Sequence, residues 1–324
     1  MSVAKTSNGL DLDDTFNSQD ADLILRSSDG VDFAVHRCII RLISPFFADM
    51  LSLPQSAQTT GAPAIIDMAE DAPSVRLLLM LSYPRTFCPA PKLDNVLDIK
   101  RAAAISQKFD SSSFVAVVDG ALCRYAQEKP EVVYAISWRY RYKNALRVAA
   151  RLTLDRLPFL GPSWDISEFE DIPATALAEL HRYHTASLTA LQVLRDPAIP
   201  IGWVTIQAIN LGETKVTGVC SHDDTRLIFN AGLAEEGSQV LTHRTINAWW
   251  WTLVVDSVSS MKGCSHSAFN AAFDEALENM LNSGNFCSVC QSRVLFFAAM
   301  RNTRHKLQDE IERRVQEITL QIPF

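Results

Sequence analysis

Cys287-Ser288-Val289-Cys290 is the stretch of this chain best suited to chemistry. Two thiolates three residues apart share one turn and present both sulfurs to a single ion, which suits zinc. A tetrahedral site needs two further ligands. Cys220-x-His222 can supply them, and so can Cys264-x-His266. One intervening residue is a tight spacing for two ligands of one ion, although a loop can accommodate it. Cys220, His222, Cys287 and Cys290 therefore form a candidate structural zinc site. The competing readings are free, partly buried thiols and a disulfide or redox role. His181-x-x-His184 sets two imidazoles at i and i+3 of an expected helix. Such a pair can bind metal, but the HExxH pattern is missing: Glu179 precedes the first histidine and Tyr183 the second. It reads better as a helix face. Trp249-Trp250-Trp251 cannot all face one core, because successive helical residues point about 100° apart. At least one of them is expected near the surface or in an interface. The chain contains no Gly-rich phosphate loop, no GxSxG elbow and no paired catalytic carboxylates. An enzyme has no residues to stand on, and the candidate zinc is the one cofactor the residues suggest.

The 324 residues allow about two domains, at roughly 100–200 residues each. With 48% apolar and 21% charged residues the chain can bury a large core, which excludes wholesale disorder. A net charge of −7 does not suit a dedicated nucleic-acid binder. The densest apolar patch, residues 248–255, is too short to span a bilayer. Asp11, Asp13 and Asp14 stand where a signal peptide would need an apolar stretch. Seven cysteines without a regular framework fit reduced thiols, so an intracellular protein of the cytoplasm or nucleus is expected.

Residues 1–19 read as a flexible polar tail. Order is expected from Asp20, with a strand at residues 21–26, a turn at Ser27-Ser28-Asp29-Gly30 and a partner strand at residues 31–35. A helix follows over residues 36–42. Ser44-Pro45 marks the next helix start, with serine as N-cap and proline at the first helical position. A third strand fits residues 64–68, and Asp71-Ala72-Pro73-Ser74 caps a helix running to Tyr83. Helices fit residues 93–108 and 112–128. Beyond residue 128 the pattern is mainly helical: 131–139, 144–157, a helix opened by Asp171-Ile172-Pro173 with Leu177, Leu180, His184, Leu188 and Leu191 on one stripe, then 245–260, 267–282 and 289–317. Residues 197–237 resist assignment, and 319–322 suggest a short terminal strand. The charges of the last helix alternate in sign from Arg301 to Arg314, as a solvated face does.

Ala21-Asp22-Leu23-Ile24-Leu25, then Phe33-Ala34-Val35-His36-Arg37, then Ile39-Ile40-x-Leu42 and Ser44-Pro45-Phe46-Phe47 form a distinctive succession. With it the first hundred residues resemble the BTB (POZ) domain. The likeness continues through Ile65-Ile66-Asp67-Met68, residues 75–83 and Ala102-Ala103-Ala104 to Phe109. One departure is Tyr83-Pro84-Arg85, where the family often has Tyr-Thr-Gly; it alters a surface turn. The resemblance implies an α+β fold over residues 20–128, a small sheet flanked by helices. Residues 129–324 resemble the helical extension of fungal BTB proteins. Those relatives tend to carry additional cysteines in mid-extension, where this chain has only Cys220 and His222.

Asp22 and His36 are the polar landmarks of the pattern and are expected to be hydrogen-bonded at a strand-to-helix corner, supporting architecture rather than chemistry. The family uses this region in its homodimer face, which makes Asp22, His36, Arg37 and Phe46 candidates there; Leu23, Leu25 and Ile39 are further candidates, with core packing the expected fate of most of these apolar residues. The function implied is a protein–protein adaptor that self-associates through its BTB domain. Two alternatives are a substrate receptor for a cullin-based ubiquitin ligase and a transcriptional regulator. The regulator would normally carry a DNA-reading module such as tandem zinc fingers, and the sequence has none. The expected partners are a second copy and other proteins, a cullin among them; no direct nucleic-acid or membrane contact is expected.

Overall fold

A computed structural model describes residues 4–5, 11–53, 63–196, 226–232, 241–283 and 294–324. The chain divides into two compact units. The first comprises the described residues up to Ala149 together with Ile166–Ile172, and the second Ala150–Asp165 with the described residues from Pro173 onward.

Unit 1 is built on a five-stranded sheet. Its strands are β1 (Ala4–Lys5), β2 (Asp11–Asn17), β3 (Leu23–Arg26), β4 (Asp32–Val35) and β5 (Ala64–Asp67), in the order β1-β2-β4-β3-β5. β3 and β4 form the expected antiparallel hairpin, with Leu23 opposite Val35 and Arg26 opposite Asp32. Gly30 closes its turn at φ +89°, a backbone that glycine adopts without strain. β5 joins β3 in parallel. All four residues of β4 are buried, and the strand lies between β2 and β3. The cost of burying Asp32 is offset by a bidentate pair with Arg26, at 2.7 and 3.1 Å.

Residues 11–17 correct the expectation of a flexible tail to residue 19. They form β2, parallel to β4. Phe16 is fully buried, packing edge-on against Tyr83 at 5.2 Å and against Phe33 at 6.3 Å. Asp13 is buried too. Its Oδ1 accepts the backbone N–H groups of Thr15 and Phe16, and its Oδ2 accepts the Arg76 guanidinium. Two long-range anchors, one apolar and one ionic, thus order a run whose composition looks unstructured.

Two helices of unit 1 start at the caps expected for them, Ser44 and Asp71. α1 (Arg37–Ile43) is followed by α2 (Pro45–Ser52), whose N-cap Ser44 accepts from the Phe47 N–H. α3 (Ala72–Ser82) is capped by Asp71 and α4 (Val96–Lys108) by Asn95. α5 (Ser112–Tyr125), α6 (Pro130–Tyr140) and α7 (Lys143–Thr153) complete the run. Asp119 of α5 caps the start of α7 by accepting the Ala145 N–H at 2.9 Å.

Unit 2 is mainly helical. α8 (Ala174–Gln192) is followed by a strand pair, β6 (Arg226–Gly232) and β7 (Leu241–Asn247), then α9 (Ala248–Ser259), α10 (His266–Asn282) and α11 (Val294–Gln316). Three expectations change here. Residues 245–247 are strand rather than the start of a helix, their backbone paired with β6. Residues 319–322 form no strand; the Gln321 N–H donates to Glu179 and the Thr319 carbonyl accepts from Arg182. The last helix is not wholly solvated, since Glu310 is buried between Arg313 and Arg314. Trp250 and Trp251 are both buried, and the Trp250 indole N–H is satisfied by Thr303 Oγ1 at 3.0 Å. Among the described residues no helix is long and apolar enough to cross a membrane.

Candidate functional site

The corner where β4 turns into α1 gathers the residues that the sequence singled out. Asp22 precedes β3 and is exposed, yet its Oδ1 accepts the Arg37 backbone N–H at 2.7 Å. It thereby caps α1 from across the hairpin. The helix needs this, because its own N-cap His36 makes no side-chain capping bond. Asp22 and Arg37 are thus joined through the backbone of one chain.

His36 is held on three sides. Its backbone N–H donates to Tyr83 Oη at 2.9 Å, its Nδ1 lies 3.1 Å from the same oxygen, and its Nε2 lies 3.4 Å from Asp20 Oδ1. One neutral tautomer satisfies every group: the Tyr83 hydroxyl donates to Nδ1 while Nε2–H points to Asp20. Burial pushes the Tyr83 phenol up to about 12, so it keeps its proton for this bond. The Ser18 hydroxyl, ahead of His36, holds the Asp20 carboxyl below its usual range. Each of these polar groups is engaged within the corner.

The apolar candidates divide between core and surface. Leu23 and Leu25 are fully buried in the sheet and so present nothing to an outer face. Ile39 is half-buried. Phe46 is 48% exposed, its inner edge against Phe47 and Phe109. Leu42 is 86% exposed, the most solvated large apolar side chain among the described residues. Helical phase predicts this. Ile40 and Ile43 turn inward, and a residue two positions past Ile40 points about 200° away from it. The signal is present in the Ile39-Ile40-x-Leu42 motif itself.

Cys220, His222, Cys287 and Cys290 lie outside the described residues. Cys264 and His266, the alternative ligand pair, sit at the start of α10. The Cys264 thiol is buried and pushed up to about 11, which disfavours a thiolate, whereas His266 is exposed. His181 and His184 both line one cleft of unit 2 and are held there by other contacts. The Phe159 ring packs edge-on against both, at 5.1 and 4.9 Å, and His184 Nε2 is engaged with Thr153. Among the described residues no group of three or more His, Cys, Asp or Glu side chains is placed to hold a metal ion.

No curated protein matches the chain. A family model, the BTB/POZ domain, matches residues 12–123, and the match begins inside β2 and ends inside α5. The hairpin, the capped helix pair and the Asp22–His36–Tyr83 corner all fall within it, so this region of the chain is a BTB/POZ domain, a protein–protein interaction module.

Proposed function

We propose that the chain is a protein–protein adaptor that self-associates through its BTB domain and carries out no catalytic step. The observation that supports this is the exposure of Leu42 and Phe46 at the α1–α2 junction, beside a core that takes in Ile40, Ile43 and Phe47. Large apolar side chains exposed on neighbouring elements are a mark of contact surfaces. A two-fold interface places the same patch of both copies together, so each apolar residue counts twice. Among the polar residues nearby, Asp22 is engaged in a helix cap, and His36 and Tyr83 are engaged with one another.

Light scattering coupled to size exclusion tests this on the full chain. The expected mass is twice the 36.0 kDa of one chain. The double substitution Leu42→Asp with Phe46→Asp is expected to return a monomer of unchanged helicity, since both side chains lie outside the core. A wild-type chain that elutes as a monomer at tens of micromolar overturns the reading.

A further inference from the structure

Unit 2 contains an open cleft of about 540 Å³, within the range of roughly 300–1,000 Å³ typical of small-molecule sites. Leu157, Pro158, Phe159, Leu188 and Met261 make its walls mostly apolar, while Thr185 and Lys262 add polar groups. His184 also lines it, although that residue is 2% exposed.

The proton of His184 can be placed from its neighbours. The Thr153 hydroxyl donates to the Ala150 carbonyl at 2.7 Å, so its single proton is spent. It can only accept from His184 Nε2, 2.9 Å away. Nε2 therefore carries the hydrogen and Nδ1 the lone pair. Among the described residues that buried Nδ1 has no hydrogen-bond partner. An unmet buried acceptor is costly and rare in native proteins. Protonation does not relieve it, because burial, with His181 adding repulsion, holds the imidazole neutral down to about pH 4. Bulk solvent does not reach Nδ1, and His184 is among the residues lining the cleft, so a molecule seated there is the candidate source of the donor.

We propose that this cleft binds a small aromatic molecule bearing one hydroxyl or N–H donor, the donor meeting His184 Nδ1 and the ring lying against the apolar wall. Phe159, His181 and Met261 supply the aromatic and polarizable surface that such a ring prefers. The site is independent of the BTB domain and of its self-association.

The test uses p-cresol, which has the donor, and 4-methylanisole, in which a methyl group masks it. Full-length protein carrying ¹⁵N-labelled histidine is titrated with each, and the His184 signals are identified by their loss in His184→Gln. The expected result is a saturable change at His184 Nδ1 with p-cresol and an affinity about threefold to tenfold above that for 4-methylanisole, as one hydrogen bond supplies. Leu188→Trp, which fills the wall, is expected to weaken p-cresol at least tenfold. Thr185→Trp does the same from an exposed position, and so serves if the first variant fails to fold. Equal affinity for the two probes, an unmoved Nδ1 signal, or no saturable binding in the low millimolar range overturns the proposal.

Discussion

His36 in unit 1 and His184 in unit 2 are both packed against an aromatic side chain, Tyr83 in one case and Phe159 in the other. They end in opposite states. His36 is partly solvated and has a partner for each ring nitrogen and for its backbone N–H. His184 is sealed and has a partner for one nitrogen alone. The difference separates two uses of a polar side chain. A fully satisfied group fixes geometry, and the BTB corner is made of such groups. A group left short of a bond in a dry site stores a free-energy deficit that a ligand can relieve.

The largest expected effect comes from the deprived histidine. Its folded-state pKa of about 4 lies below the unfolded 6.5, so the unfolded chain takes up a proton first as pH falls. The neutral imidazole's contribution is complete above pH 6.5 and is lost toward pH 4, to a depth of up to about 3 kcal/mol. Denaturant titrations at pH 7 and pH 4.5 measure it. The difference between the two pH values is expected to shrink in His184→Gln, and an unchanged difference removes the contrast. Next is Tyr83→Phe, which deprives His36 of the hydroxyl serving both its N–H and Nδ1, at an expected cost of about 2 kcal/mol. The phenol's raised pKa adds a second signature. Stability should hold below pH 10 and fall as pH rises toward 12 in the wild type, and the variant should lack that component. A Tyr83→Phe protein as stable as the wild type would show that His36 needs no partner. The smallest effect belongs to Asp22→Ala, which removes the borrowed cap of α1 and should cost about 1 kcal/mol, with Asp22→Asn restoring most of it. Equal losses in the two variants would point to charge rather than capping.

What was legible in the sequence was local. Ser44-Pro45, Asp71 and Gly30 announce their caps and turn through their own backbone preferences, and Asp22 with His36 marks the corner. What was illegible depends on partners distant along the chain. β2 looks like a polar tail until Arg76, 63 residues on, pairs with Asp13. Residues 245–247 read as a helix start because the pairing with β6 that makes them strand is not encoded in their own pattern. The unit 2 cleft is assembled from residues 157–159, α8 and residues 261–262, which no spacing rule connects. Leu42 is the exception, since helical phase alone places it outward.

The seating of β2 on β4 bears on any attempt to isolate the BTB region. A fragment opening at Asp20 would strip one flank of β4, baring its amides and carbonyls, and would remove Phe16 from the aromatic cluster. Such a raw edge recruits strands from other molecules. Multimers seen with that fragment would then report where the cut was made, and only a piece retaining Asp11 onward could speak for how intact copies meet.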